Sequence, residues 1–146
     1  MREILFRGKR TDNGEWVQGD LIHSQYKLGD TCVGQYGNTV GIHQVDPETV
    51  GQFTGLTDKN GTRIFEGDVI RFHKFRYEPD WVGVISYDQC QYVATGKMPL
   101  AYEKPMDGEA FYCPFEVAVS GIDKATITVI GNIHDNPELL EVSDGN

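Results

Sequence analysis

The chain has 146 residues, the size of one ordinary domain, and its hydrophobic fraction of 39% and charged fraction of 24% are those of folded globular proteins. This composition excludes a globally disordered chain. The chain is acidic, with a net charge of −9, and residues 77–146 hold three Lys/Arg against twelve Asp/Glu. Because an acidic chain repels phosphate backbones at long range, the charge disfavours nucleic acid as a partner.

Cysteine usage and hydropathy indicate where the protein works. The three cysteines are odd in number and lack C-x-x-C spacing, which argues against a disulfide framework and a thiolate zinc site. Charged residues interrupt the apolar run at the N-terminus, and no stretch approaches the roughly 20 apolar residues of a membrane helix. We therefore expect a cytoplasmic protein that makes no membrane contact.

Short runs rich in Val, Ile, Thr, Phe and Tyr alternate with glycine turns, a pattern typical of short strands. Asn13-Gly14 predicts the first tight turn, since this pair accepts positive φ. Asp46-Pro47-Glu48 predicts a short helical turn. The strands predicted in this first part are 4–6, 16–17, 21–22, 31–36 and 39–45.

The clearest local signal is the loop Asp58-Lys59-Asn60-Gly61, which predicts a hairpin between 53–56 and 63–65. Further strands are predicted at 69–75, 81–87, 111–122 and 125–130, with 88–110 read largely as a long connection. Gly83 predicts a bulge or a close backbone approach. Asn136-Pro137-Glu138 predicts a short C-terminal helix, which is too short to be stable unless Leu139 and Leu140 dock on the expected barrel.

Four phrases carry a resemblance to a known family. They are REILFRGK, WVQGDLI, GQFTGLTDKNGTRIFEGDVIRF and VIGNIHDNPELLE. In this order they resemble the YopX family. The resemblance implies a mostly β protein with a small barrel of the Src-homology-3 (SH3) type and an origin in phage or prophage, hence a bacterial host cell. It implies no known reaction and supplies no catalytic or ligand residues, and residues 73–125 match none of its phrases.

The predicted fold class is therefore mostly β. We expect an N-terminal β-unit at 1–49 packed on the barrel, a YopX-like SH3-like barrel domain at 50–142 with the short C-terminal helix, and a frayed tail at 143–146.

The predicted strand at 69–77 interleaves basic residues with aromatics. Such a pattern can hold single-stranded nucleic acid by charge and stacking. It is equally typical of an exposed strand that uses charge to stay unpaired, and the acidic second half favours this second interpretation. The weak binding candidates here are Arg71, His73, Lys74 and Arg76.

No catalytic, cofactor or metal site is predicted. His134, Asp135 and Glu138 could gather around a metal, but a turn that caps the final helix explains them without one. Glu66 and Asp68 flank a glycine and are interpreted as turn residues. The sequence has no nucleophile elbow, cysteine-protease signature or Gly-rich phosphate loop, so an enzyme is not expected.

The acidic second half is also rich in aromatic residues, which suit contacts with proteins when they lie on loops. About half of them are expected in the core. The set is Tyr87, Tyr92, Tyr102, Phe111, Tyr112 and Phe115. The leading hypothesis is a non-enzymatic binding or regulatory protein, encoded by phage or prophage, that binds a basic protein partner inside the bacterial cell. A nucleic-acid-associated module using 69–77 is the alternative, an enzyme of unknown class is third, and homo-oligomers are left open.

Overall fold

The computed structural model describes residues 3–23, 31–34, 41–73, 80–99 and 112–140. Strands dominate these ranges, which confirms the mostly β prediction, and the chain forms two compact units, Met1–Leu56 and Thr57–Asn146. The predicted tail at 143–146 lies outside the described residues.

The strands of the first unit close on themselves. They are β1 (Phe6–Arg10), β2 (Trp16–His23), β3 (Thr31–Gly34) and β4 (His43–Thr57). Strand β1 pairs with both β2 and β4, while β3 joins β2 to β4, and every pairing is antiparallel. The four strands therefore form a complete circuit of pairings.

Glycines allow the tight turns and close approaches of this unit. The predicted Asn13-Gly14 turn is confirmed, since Gly14 has φ +74° and Asn13 Oδ1 accepts from the Glu15 N–H at 2.9 Å. A Cβ atom at Gly19 would lie 2.6 Å from the carbonyl oxygen of Gly34, so the backbones of β2 and β3 approach more closely than any other residue permits.

The helical turn predicted at Asp46-Pro47-Glu48 is wrong, because β4 runs continuously through it. The local turn chemistry is present, since Asp46 Oδ1 accepts from the Glu48 N–H at 3.0 Å. This turn produces an irregularity in β4 rather than a helix. Arg7 of β1 pairs with Gly51 and Lys9 pairs with Asp46, so the register between β1 and β4 shifts between Arg7 and Lys9.

The second unit contains a five-stranded antiparallel sheet in the order β10-β6-β7-β8-β9. The unit also contains β5 (Arg63–Phe65), which is not part of this sheet. The five strands of the sheet are β6 (Asp68–Phe72), β7 (Trp81–Asp88), β8 (Gln91–Pro99), β9 (Tyr112–Ala118) and β10 (Thr128–Asn132). The prediction of a long connection over 88–110 is wrong for its first part, because Gln91–Pro99 is a nine-residue strand. The predicted strands near residues 120 and 125 give way to 3-10 turns at Val119–Gly121 and Lys124–Thr126.

One face of this sheet carries the core of the unit. The rings of Phe72, Trp81 and Phe115 meet, with centroids 5.9 Å apart for Phe72–Phe115 and 4.7 Å for Trp81–Phe115. A Cβ atom at Gly83 would lie 3.2 Å from the Phe115 ring, and one at Gly96 would lie 3.0 Å from it. The close backbone approach predicted at Gly83 is thus confirmed. The fully packed residues of this core are Ile64, Ile70, Phe72, Trp81, Ile85, Ala94, Val119, Ile122 and Ile127.

The predicted C-terminal helix is a single 3-10 turn, Pro137–Leu140, because four residues are too few to propagate an α-helix. The turn lies against β10. A Cβ atom at Gly131 would lie 2.8 Å from Leu139 Cδ1, so Leu139 lies against β10, while the side chain of Leu140 lies outside those described.

Candidate functional site

The Asp58 loop joins two distant parts of the second unit. Asp58 Oδ1 accepts from the N–H groups of Asn60 and Thr62, at 2.8 and 2.9 Å, and Oδ2 accepts from the Val129 N–H at 3.0 Å. The Lys59 N–H also donates to the carbonyl of Ile127, the residue just before β10. The loop therefore binds the start of β10, 71 residues further along the chain.

The Asp58 carboxyl is only 2% exposed. Burial pushes its pKa upward, but the bonds from three backbone N–H groups and the Thr62 side chain outweigh burial, so the pKa of Asp58 lies below its ordinary value. The carboxylate is ionised and fully engaged inside the fold. Its role is to satisfy backbone donors.

The Glu66-Gly67-Asp68 turn is built in the same way. Asp68 is 2% exposed and its Oδ2 accepts from the Phe65 N–H at 2.8 Å. Gly67 has φ +86°, its N–H donates to the Ile85 carbonyl, and its carbonyl accepts from the Ile133 N–H. The turn is thus tied to β7 and to the residue after β10, which supports interpreting Asp68 as a turn residue.

The residues considered as metal ligands belong to another turn. Asn132 Oδ1 accepts from the N–H groups of His134 and Asp135, and Asn132 Nδ2 donates to Asp135 Oδ2 at 3.2 Å. Glu138 is exposed. Within the described ranges no three His, Cys, Asp or Glu side chains are grouped as a metal would require. These contacts are those of a turn that ends β10.

Together these contacts give the quoted phrases a structural role. Asp58, Asp68 and Asn132 each direct side-chain oxygens at backbone N–H groups, and the central phrase is bonded to the C-terminal one through Val129 and Ile133. These side chains of the central and C-terminal phrases therefore hold strands of the second unit together.

The predicted basic strand is only partly described. Arg71 is exposed on β6, opposite Val82 of β7, and His73 Nδ1 lies 3.2 Å from Asp80 Oδ1. Lys74 and Arg76 lie outside the described residues. The structure thus places His73 beside a carboxylate and leaves Arg71 exposed.

The hairpin tip between β7 and β8 presents an exposed aromatic ring. Tyr87 and Tyr92 pair directly across the strands, their ring centroids lie 5.0 Å apart in an edge-to-face arrangement, and Tyr87 is 55% exposed. Gln89 and Cys90 form the turn with φ of 47° and 64°. Two positive φ values are those of a type I′ turn, whose twist matches that of the strands it joins.

Asp88 lies beside the turn, whereas Glu116 lies on β9 opposite Thr95 of β8, which in turn pairs with Val84 of β7. A hydrogen bond with Asp88, together with desolvation and the negative charge of Asp88, raises the pKa of the exposed Glu116 carboxyl. The two residues come from β7 and β9, which are separated in the sheet by β8.

Sequence reasoning identified Tyr87 among six aromatics but missed the hairpin that presents it. The usual signal, Asn-Gly or Asp-Gly, is absent, and Gln89 and Cys90 occupy the turn instead. The signal that could have indicated this hairpin is the run Tyr92-Val93-Ala94, which follows the predicted strand at 81–87 and continues its alternating pattern. Among the other aromatics, Tyr92 and Phe115 pack against the core, while Tyr102, Phe111 and the side chain of Tyr112 lie outside the description.

Comparisons with known proteins agree with this architecture. A crystal structure of protein EF1440 from Enterococcus faecalis matches with a TM-score of 0.53 and 22% sequence identity, covering 97% of this chain and 100% of that one. At this identity the match shows a shared fold. No protein with a curated description matches the chain. In the described part of the chain, no helix has the length and hydropathy needed to cross a membrane.

The family comparison covers both units. The profile of the family described as YopX protein matches residues 5–141, nearly the whole chain, and includes all four phrases except the first residues of REILFRGK. The chain belongs to the YopX family.

Proposed function

We propose that this protein is a non-enzymatic binding or regulatory protein of phage or prophage origin, which acts in the cytoplasm of a bacterial cell and contacts a protein partner through the tip of the β7–β8 hairpin. The observation that carries the proposal is the Tyr87 ring, 55% exposed on a turn of defined geometry. The hairpin lies in the segment 73–125, which has no counterpart in the quoted phrases.

An exposed tyrosine on a hairpin suits protein recognition for two reasons. Its ring offers a large contact area together with a polar hydroxyl, and few rotatable bonds need to be ordered on binding. The hairpin also fixes the position of the ring beforehand, because the rings of Tyr87 and the half-buried Tyr92 pack edge-to-face. Ordering costs on binding are therefore small.

The non-enzymatic part of the proposal is supported by how the polar side chains of the phrases are used. Asp58 and Asp68 are buried and accept from backbone N–H groups. A general acid or base needs instead a carboxyl within reach of a substrate. Fold alone does not decide the function, because function depends on the site.

For the second unit we further propose an SH3-type barrel. The five antiparallel strands and the family resemblance support it. In the sheet order β9 and β10 are the two end strands, so an experimental structure in which these ends curve together would agree with the barrel. An open, flat sheet would contradict it.

The test of the binding function is affinity capture from a lysate of phage-infected bacteria. We expect one partner to be retained by the wild-type chain and lost with Tyr87→Ser. The matched control is Ile4→Ser, which changes a 65% exposed apolar residue of the first unit and should retain the partner. Absence of any specific partner, or equal retention by Tyr87→Ser, would refute the proposal.

A second candidate is the nucleic-acid-associated module. It is favoured by the exposure of Arg71 on β6, a cation that can contact phosphate. It predicts a salt-sensitive gel shift of single-stranded oligonucleotides that is lost when Arg71 and Arg76 are both replaced by alanine. The absence of a shift at low salt would end this alternative.

A further inference from the structure

We propose that the side chains of Gln89 and Cys90, the two residues of the β7–β8 turn, contact the protein partner directly and are kept in the turn at a cost in stability. This inference rests on the proposed binding function and adds the residues that determine which partner is bound. The observation behind it is that both turn residues combine positive φ with an exposed side chain.

The two turn residues are poorly suited to their backbone conformation. Gln89 has φ 47° and Cys90 has φ 64°, a left-handed region in which the Cβ atom of an L-residue crowds the following carbonyl oxygen. A type I′ turn is most stable with Asn-Gly in these two positions. At every other position of positive φ in the described ranges the chain has glycine, at Gly14, Gly55, Gly61 and Gly67. The hairpin is therefore less stable than the same hairpin with Asn-Gly.

No contact inside the fold offsets this cost. Asparagine tolerates positive φ because its short side chain can hydrogen-bond locally, but within the described part of the chain the side chains of Gln89 and Cys90 make no hydrogen bond. The turn between β1 and β2 differs, since the Asn13 side chain accepts from the Glu15 N–H there. Unfavourable backbone conformations that the fold does not use are a reason to infer a functional role.

The turn side chains and the Tyr87 ring belong to one surface. Asp88 pairs with Gln91 at the base of the turn, and Tyr87 pairs with Tyr92 one step further along the hairpin. A primary amide such as that of Gln89 both donates and accepts hydrogen bonds, and a thiol packs as a small apolar group. The pair suits a protein surface that presents a backbone peptide group beside an apolar side chain.

The test replaces the two side chains and keeps the turn. The double variant Gln89→Asn with Cys90→Gly favours type I′ geometry, so its midpoint in urea should rise. We expect this more stable variant to lose the protein that the wild-type chain captures from the lysate of phage-infected bacteria. Undiminished capture at a raised midpoint would show that Gln-Cys is merely tolerated in the turn and would overturn the inference. A lowered midpoint would contradict the turn geometry, and the inference with it.

A matched substitution checks that loss of capture is specific to the turn. Gln18 is an exposed glutamine on β2 of the first unit, and Gln18→Asn should retain the captured protein. Equal loss with Gln18→Asn would overturn the inference. If Tyr87→Ser loses the protein while the double variant retains it, the proposed function stands and the role of the turn side chains is wrong. If the wild-type chain captures nothing specific, the proposed function itself fails.

Alkylation of the Cys90 thiol reports the contact directly. Cys90 is exposed in the free chain, so iodoacetamide should reach it, and we expect the bound protein to suppress this modification. The measurement is mass spectrometry of the peptide that contains Cys90, taken from the free chain and from the captured complex. Cys32 of the first unit is the internal control, and its modification should be the same in both samples. Equal modification of Cys90 in both samples would refute contact at the turn.

Discussion

Replacing Asp58 by alanine removes the acceptor for three backbone N–H groups at once. Those of Asn60 and Thr62 lie in an exposed loop, where water can replace the carboxylate, so each loss costs about 0.5–1 kcal/mol. The Val129 N–H is part-buried, and leaving it without this charged acceptor costs about 1–3 kcal/mol. We therefore expect the free energy of unfolding to fall by about 2–5 kcal/mol, a large share of the 5–15 kcal/mol typical of a domain.

The assay is urea unfolding followed by tryptophan fluorescence in a Trp16→Phe background, so that the signal comes from Trp81, which is buried in the core of the same unit as Asp58. Asp123→Ala is the matched control, since Asp123 Oδ1 accepts from a single exposed donor, the Ala125 N–H, and its loss should cost no more than about 1 kcal/mol. Amide exchange should quicken at Val129 in the Asp58 variant. If Asp58→Ala costs no more than the control, the carboxylate does not hold the loop to β10.

The same residue predicts how stability depends on pH. The pKa of Asp58 is lower in the folded protein than in the unfolded chain, so the ionised carboxylate stabilises the fold above the unfolded value, near pH 4, and this contribution is lost as the pH falls through the folded value. The stability difference between wild type and Asp58→Ala should be full at pH 6 and shrink in acid. A difference that grows as the pH falls would contradict the assigned direction.

Three further predictions concern packing, the hairpin turn and a buried hydroxyl. Gly96→Ala should lower the free energy of unfolding by about 2 kcal/mol or more, because the new Cβ atom would collide with the Val82 carbonyl and the Phe115 ring. Gly121→Ala should change it little, because a Cβ atom there meets nothing within 4 Å. Equal effects of the two substitutions in urea unfolding would refute this. Replacing the turn residues Gln89 and Cys90 by Asn and Gly should raise the free energy of unfolding by about 0.5–1 kcal/mol, because both positions have positive φ, which Asn and Gly adopt more easily. A loss of stability would contradict the type I′ assignment. Thr49→Val should lower the free energy of unfolding by about 1–2 kcal/mol, because the buried Thr49 hydroxyl accepts from the Lys9 N–H at 2.9 Å and donates to the Asp46 carbonyl at 2.6 Å. An unchanged thermal midpoint would show that these bonds contribute nothing.

The sequence predicted the local turns, but it did not predict the hydrogen bonds that the same residues make to distant parts of the chain. Asn60-Gly61 predicted the hairpin loop at 58–61, and Gly61 indeed has φ +82°. Nothing in the spacing indicated that Asp58 also binds Val129, because a bond over 71 residues depends on how β10 is placed beside β6. Sequence patterns report neighbours along the chain, whereas this contact follows from the topology of the sheet.

The errors have physical causes of the same kind. The strand Gln91–Pro99 was missed because Gly96 and Pro99 are typical of loops, yet Gly96 is required beneath the Phe115 ring and Pro99 ends the strand. The C-terminal helix was predicted from a cap signal at Asn136 and from Pro137, but the segment forms only a four-residue 3-10 turn, and Asn136 Oδ1 accepts from the Asn132 N–H. The candidate site was predicted only as a set of aromatics, since the turn at Gln89 and Cys90 lacks glycine.

The most direct test of the account compares two folded variants, Asp58→Ala and Tyr87→Ser, in the capture of a partner from the lysate of phage-infected bacteria, under conditions where both variants are native. We predict that Asp58→Ala retains the partner as the wild type does, despite its lower stability, and that Tyr87→Ser loses the partner at nearly unchanged stability, because Tyr87 is 55% exposed and Asp58 is buried. The reverse pattern, in which the loop carboxylate controls capture and the hairpin tyrosine does not, would contradict the proposed role of the hairpin.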